Sequence, residues 1–122
     1  MVVRYETDET VDSLFHALAD TTRRDIVRRC GQEVLTVSLL ARAYPMSFAA
    51  VQKHVAVLER AGLVTKQRRG REQLVRTDPR SLALARQALD QLEATWRGRV
   101  ERMSDLLMRE TGEEPEPKGE DR

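Results

Sequence analysis

Apolar residues recur along this chain in short stretches at helical spacing, and turn signals separate the stretches. Val11, Leu14, Phe15 and Leu18 follow the i, i+3, i+4, i+7 pattern, so a helix is predicted over residues 10–19 with Thr10 or Asp8 as its cap. Asp20 or Thr21 can cap a second helix running to Cys30, with Ile26 and Val27 inward, Arg23, Arg24, Arg28 and Arg29 mostly outward, and Gly31 ending it. Thr36 can cap a third, short helix carrying Val37, Leu40 and Ala41, which must stop before Pro45 because a residue preceding proline avoids helical geometry. Ser47 caps a fourth, with Val51, Val55 and Leu58 on its inner stripe, ending near Ala61 with Gly62 just beyond. Leu63–Lys66 and Gln73–Thr77 can pair as strands around the Arg68-Arg69-Gly70-Arg71 turn. After Asp78-Pro79 comes the longest periodic segment: Leu82, Ala85, Leu89, Leu92 and Trp96 alternate steps of three and four, Val100 covers a slip at Arg99, and Met103 and Leu106 resume the phase.

These elements describe a mainly α chain with one small β-hairpin. The third and fourth helices, joined across ARAYPM, form a helix-turn-helix candidate, and the hairpin would be its wing. On a helical wheel the fourth helix buries Val51, Val55 and Leu58, while Ala49, Gln52, Lys53, Ala56 and Arg60 gather on the far side. Small residues among a few long donors suit a helix whose backbone sits deep in the DNA major groove. Gln can pair bidentately with adenine, Lys can donate to guanine, and Ser47 with the helix N-terminus can hold a phosphate.

Charge strengthens that picture only when it is taken locally. The 122 residues carry 21 Lys and Arg against 20 Asp and Glu, a formal net charge of +1. Leu63–Thr77 nevertheless has five basic residues (Lys66, Arg68, Arg69, Arg71, Arg76) and a single acid, Glu72. The end of the chain, TGEEPEPKGEDR, is acidic and rich in Pro and Gly, so residues 111–122 are expected to be a disordered acidic tail behind one folded unit of residues 1–110. Only 4% of residues are aromatic, leaving Ala, Leu and Val as the core material, which favours helices. The sequence contains no run of 18 apolar residues and its N-terminus has no secretory pattern, so no membrane partner and a cytoplasmic location are expected.

Catalytic and metal chemistry find little support. There is no Gly-rich phosphate loop, GxSxG or HExxH, and the acids are scattered among Arg and Lys, so no enzyme and no cofactor is expected. Cys30, His16 and His54 are the only thiol and imidazole groups, and they show no ligand spacing, so no metal site is expected. Cys30 reads as a small buried hydrophobe. The alternative is a thiolate favoured by Arg28 and Arg29, and hence a redox-responsive regulator.

The chain resembles the ArsR-type winged-helix transcriptional regulators of bacteria. The resemblance rests on LFHALADTTRRDIV (14–27), LTVSLLA (35–41), MSFAAVQKHVAVLERAGLV (46–64) and the RRGREQLVRTDP wing, and covers residues 10–110. It implies a homodimer that binds double-stranded operator DNA, usually as a repressor, with the first and last helices at the dimer interface. By position, Ser47, Phe48, Ala49, Gln52, Lys53 and His54 of the fourth helix and Arg68, Arg69 and Arg71 of the wing are implied at DNA. Thr21 stands where many members have Pro, Leu39 where Glu is usual and Gln52 where Ser is common, so an operator sequence does not carry over. The third helix has no Cys and residues 80–110 no His or Cys, unlike the family's metal sensors, and the effector is left unassigned. A competing class is a winged helix that has lost DNA and serves protein contacts, but five cations around one hairpin speak for nucleic acid.

The long last helix is longer than a winged-helix core of this size needs, so its surplus apolar length implies a second copy. Leu14, Leu18, Leu89, Leu92, Trp96 and Met103 are the residues expected at a twofold dimer interface, with Trp96 as its anchor.

Overall fold

The computed structural model describes residues 2–111, with side chains from residue 8 onward. The elements run α1 (Val2–Leu18), α2 (Thr21–Gln32), β1 (Leu35–Thr36), α3 (Val37–Arg42), α4 (Phe48–Arg60), β2 (Val64–Arg69), β3 (Glu72–Thr77) and α5 (Pro79–Thr111). The three strands form one antiparallel sheet in the order β1-β3-β2. This is the mainly α, winged helix-turn-helix architecture with a long C-terminal helix that the pattern predicts.

Local chemistry sets most of the boundaries. Asp20, Thr36 and Ser47 are N-caps whose side chains accept from the backbone N–H three residues on, at 3.0 to 3.1 Å. At the end of α4, Gly62 has φ of +83°, its N–H donates to the Glu59 carbonyl and the Leu63 N–H to the Leu58 carbonyl, a Schellman closure. Gly70, with φ of +65°, takes the first place of a two-residue turn between paired Arg69 and Glu72.

Four expectations change. α1 begins at Val2, so Asp8 and Thr10 lie inside it instead of capping it; no Gly or Pro stands between Val2 and Leu18 to stop the helix. α2 passes through Gly31 to Gln32, with Glu33 as its C-cap. Leu35–Thr36, read only as the approach to a cap, pairs with Val75 and Leu74 as a third strand. Arg23 and Arg24 do not simply face water. Arg23 donates to the carbonyls of Ala17 (2.7 Å) and His16 (3.2 Å), the latter also accepting from the Ala19 N–H, and Arg24 donates to Leu18 (2.8 Å), so both side chains satisfy carbonyls at the end of α1.

The chain forms two compact units, one ending at Arg86 and one beginning at Gln87, inside α5. The first unit holds the core: Leu14, Ile26, Leu40, Val51, Leu58 and Val75 are each at most 1% exposed, and Thr77 is tied inside by a 2.7 Å bond to the Val27 carbonyl. Among the described residues the second has no buried side chain; Ala85, the buried residue of α5, lies just before the division. The tail expected over 111–122 lies, beyond Thr111, outside the described residues. No helix among the described residues is long and apolar enough to cross a membrane.

Candidate nucleic-acid interface

The candidate surface begins at Ser47. Its Oγ accepts from the Ala50 N–H and fixes the first turn of α4, and as a hydroxyl it keeps a proton to donate outward. Inside, Val51, Val55 and Leu58 are at most 1% exposed; outside, Phe48, Ala49, Gln52, Lys53 and Arg60 are exposed and Ala56 is half-buried. The two faces of α4 therefore fall where the wheel puts them.

A network behind the helix sets the turn that precedes it. The Tyr44 hydroxyl, between α3 and α4, donates to Asp25 of α2 at 2.6 Å. Arg29 donates to the same carboxylate at 2.7 Å, Arg28 takes its other oxygen, and the Arg29 guanidinium lies 5.6 Å from the Tyr44 ring centroid. The Tyr44 hydrogen bond and then the two arginines hold the Asp25 carboxyl well below the usual carboxylate range. Burial, reinforced by Asp25, pushes the Tyr44 phenol up to about 12. Sequence reasoning missed this cluster. The spacing of Asp25 from Arg28 and Arg29 was visible as an i+3, i+4 ion-pair pattern, but nothing local pointed to Tyr44.

His54 is half-buried beside α2, on the shoulder between the inner and outer faces of α4. The Arg23 guanidinium lies 3.3 Å from its Nδ1, and Asp20 is 3.9 Å away. Arginine can only donate, so a hydrogen bond between the two belongs to the tautomer that carries its proton on Nε2.

The wing divides its cations between two faces. The register places Lys66 and Arg68 on the face of buried Val64, and Thr65, Gln67 and Arg69 on the other. Lys66 pairs with Glu59 of α4 at 3.4 Å, and the Arg68 Nε donates to the Gly70 carbonyl at 3.2 Å. A groove of about 250 Å³ runs between α4 and the wing, lined by Phe48, Gln52, Lys66, Arg71, Gln73 and the acidic Glu72, with Val55 of α4 and Val37 and Ser38 of α3 at its side. Arg69 instead lies with Leu74, Arg76 and Val34 around a second hollow of about 250 Å³. The structure thus brings Gln52 and Phe48 together with Arg71, and separates them from Arg69. Ser38 and Gln73, which the sequence reading did not single out, join the shared groove.

Cys30 is 2% exposed, and burial pushes its thiol up to about 11, so it is protonated at neutral pH. This is the small buried hydrophobe of the sequence reading; Arg28 and Arg29, which the alternative had favouring a thiolate, pair with Asp25. Among the described residues, no three of His, Cys, Asp and Glu gather where they could hold a metal ion.

The expected interface residues differ in exposure, and Leu14 is the least exposed of them. It is fully buried among its own chain's core and has no surface to offer a partner. Leu18 is partly buried against that core. Leu89, Leu92, Trp96 and Met103 are all exposed, at 54%, 66%, 62% and 58%.

A helix-turn-helix domain family model matches residues 18–67. The HTH-type transcriptional regulator Rv2034 of Mycobacterium tuberculosis is 42% identical over 84 residues, covering 69% of this chain and 78% of that protein. The solved structure of an ArsR-like transcriptional regulator from Rhodococcus sp. RHA1 is 31% identical, with a TM-score of 0.74 over 83% of this chain and 95% of that one. The homodimeric winged helix-turn-helix DNA-binding domain of a possible ArsR-family regulator from Mycobacterium bovis is 27% identical, with a TM-score of 0.58 over 71% of this chain and 80% of that one.

Proposed function

The chain belongs to the ArsR-type family of DNA-binding winged helix-turn-helix transcriptional regulators, and from that premise we propose that it is a homodimeric repressor of an inverted-repeat operator. The observation that carries this reading is the groove in which the outer face of α4 meets the wing, with Gln52 and Phe48 on one wall and Lys66, Arg71 and Gln73 on the other. The first turns of α4 enter the major groove. Gln52 and Lys53 reach base edges, Ala49 lets the backbone approach, and Ser47 donates to a phosphate. Arg68, Arg69 and Arg71 neutralise phosphates from the wing. His54, held by Arg23, has Nε2–H left to donate to the backbone of the duplex.

A second copy seats on the exposed stripe of α5, with Leu89, Leu92, Trp96 and Met103 at its centre and Leu18 of α1 contributing what surface it has. The M. bovis relative is a homodimer, and twofold pairing would set two α4 helices roughly 34 to 36 Å apart, in successive major grooves. Selection from random duplexes tests the whole reading. It should enrich an inverted repeat whose binding weakens steeply with salt, because each neutralised phosphate releases counterions. Recovery of no repeat, with salt-insensitive binding, would leave the winged helix as a protein-contact module.

A further inference from the structure

Phe48 is the first residue of α4, and 48% of it is exposed although the Ser47 cap fixes the turn that carries it. It lines the same groove as Ser38, Gln52, Lys66, Arg71, Glu72 and Gln73, with Val37 and Val55 as the groove's other apolar residues. A phenyl ring can neither donate nor accept a conventional hydrogen bond, so at a base edge it discriminates only through apolar contact. The major groove offers one methyl group for such contact, the C5-methyl of thymine.

Position narrows the assignment further. Phe48 and Gln52 are four residues apart, on one face of the helix and about 6 Å apart along its axis. Base pairs stack at about 3.4 Å, so two side chains at this separation reach pairs one or two steps apart. We propose that Phe48 reads a thymine methyl in each half-site, one or two pairs from the adenine that Gln52 reads with its amide. The assignment rests on the operator-binding reading above and adds to it a base class for each of two neighbouring positions.

The test uses the full-length protein and its selected operator, with each thymine of the half-sites replaced in turn by deoxyuridine, which removes the methyl and nothing else. Wild-type protein should bind about fourfold more weakly per half-site at one position, equivalent to about 0.8 kcal/mol for a buried methyl-sized group, and should be indifferent elsewhere. Phe48→Ala should bind the thymine and uracil duplexes equally at that position. Since uracil substitution leaves the protein unaltered, the wild-type loss cannot arise from misfolding. Specific operator binding that is indifferent to uracil at every position would overturn the assignment, as would a Phe48→Ala protein that still prefers thymine. Failure to select any operator is a separate result, which removes the repressor reading and this assignment with it.

Discussion

α4 and α5 carry apolar stripes of similar spacing, yet the two stripes meet opposite fates. Val51, Val55 and Leu58 of α4 are at most 1% exposed, sealed against α2, α3 and the sheet. Leu89, Leu92 and Trp96 of α5 repeat the step of three and four but keep more than half of their surface in water. A periodic stripe therefore reports that a helix has a partner surface, without saying that the partner belongs to the same chain. At about 25 cal/mol for each Å² removed from water, an exposed stripe holding a Trp and several long aliphatic side chains is a large reserve of association energy.

Truncation should separate the two stripes most sharply. Leu58→Ala leaves a cavity in a sealed core, so urea unfolding should show a loss of about 2–5 kcal/mol. A loss under 1 kcal/mol would mean that α4 packs more loosely than its burial implies. Trp96→Ala should change unfolding of the isolated chain little, since 62% of that residue is already solvated. Its effect belongs to the proposed dimer, where a central aromatic typically contributes about 2 kcal/mol or more. Sedimentation should show a shift toward monomer, and operator affinity should fall although no DNA-facing residue has changed. A Trp96→Ala protein that stays dimeric would take this stretch of α5 out of the interface.

What could be foreseen from the sequence follows the same division between local and distant causes. Asp20, Thr36 and Ser47 were legible as caps, and Gly62 and Gly70 as turn glycines, because each is decided within four or five residues. The outer face of α4 was legible because helical geometry alone sorts Gln52 and Lys53 from Val51 and Val55. Leu14 was not, because a helical apolar residue looks the same whether it faces its own core or another chain. Gly31 was misleading because a single glycine costs a helix only about 1 kcal/mol, and α2 runs one residue past it to Gln32. Neither the tie from Arg23 to His54 nor that from Tyr44 to Asp25 has a sequence signature, since each joins residues 31 and 19 positions apart.

The Tyr44 and Asp25 tie gives a smaller effect, and one with a definite pH dependence. Folding lowers the Asp25 pKa, so this group contributes stability that is present above its ordinary value of 3.8 and is lost as pH falls below it. Folding raises Tyr44 from 10.0 to about 12, so its contribution is present below pH 10 and is lost as pH rises through about 12. Tyr44→Phe should cost about 1.5–3 kcal/mol at neutral pH, the range for a hydrogen bond to a charged group. It should also shrink the acid loss, because Asp25 then keeps only its arginines, and abolish the alkaline loss due to this phenol. Unfolding measured across both arms checks this; unchanged slopes would mean that the hydroxyl does not hold the turn before α4.

The smallest effect lies at the exposed edge of α4, where the Glu59 carboxylate sits 3.4 Å from the Lys66 ammonium of the wing. Both side chains are partly solvated, at 42% and 30%, and such pairs contribute at most about 1 kcal/mol. Glu59→Gln should therefore leave stability nearly unchanged, in contrast to Leu58→Ala one residue earlier. Lys66 also lines the groove shared with Gln52 and Arg71, so the loss of Glu59 frees a cation beside the proposed DNA path. Affinity for all duplexes should rise, and the slope of log affinity against log salt should steepen by about one for each copy of the chain, one phosphate more being neutralised. Sequence preference should stay as it was, because a released ammonium that meets phosphate carries no base information. An unchanged salt slope would place Lys66 away from the duplex and leave Arg71 as the cation that closes the groove.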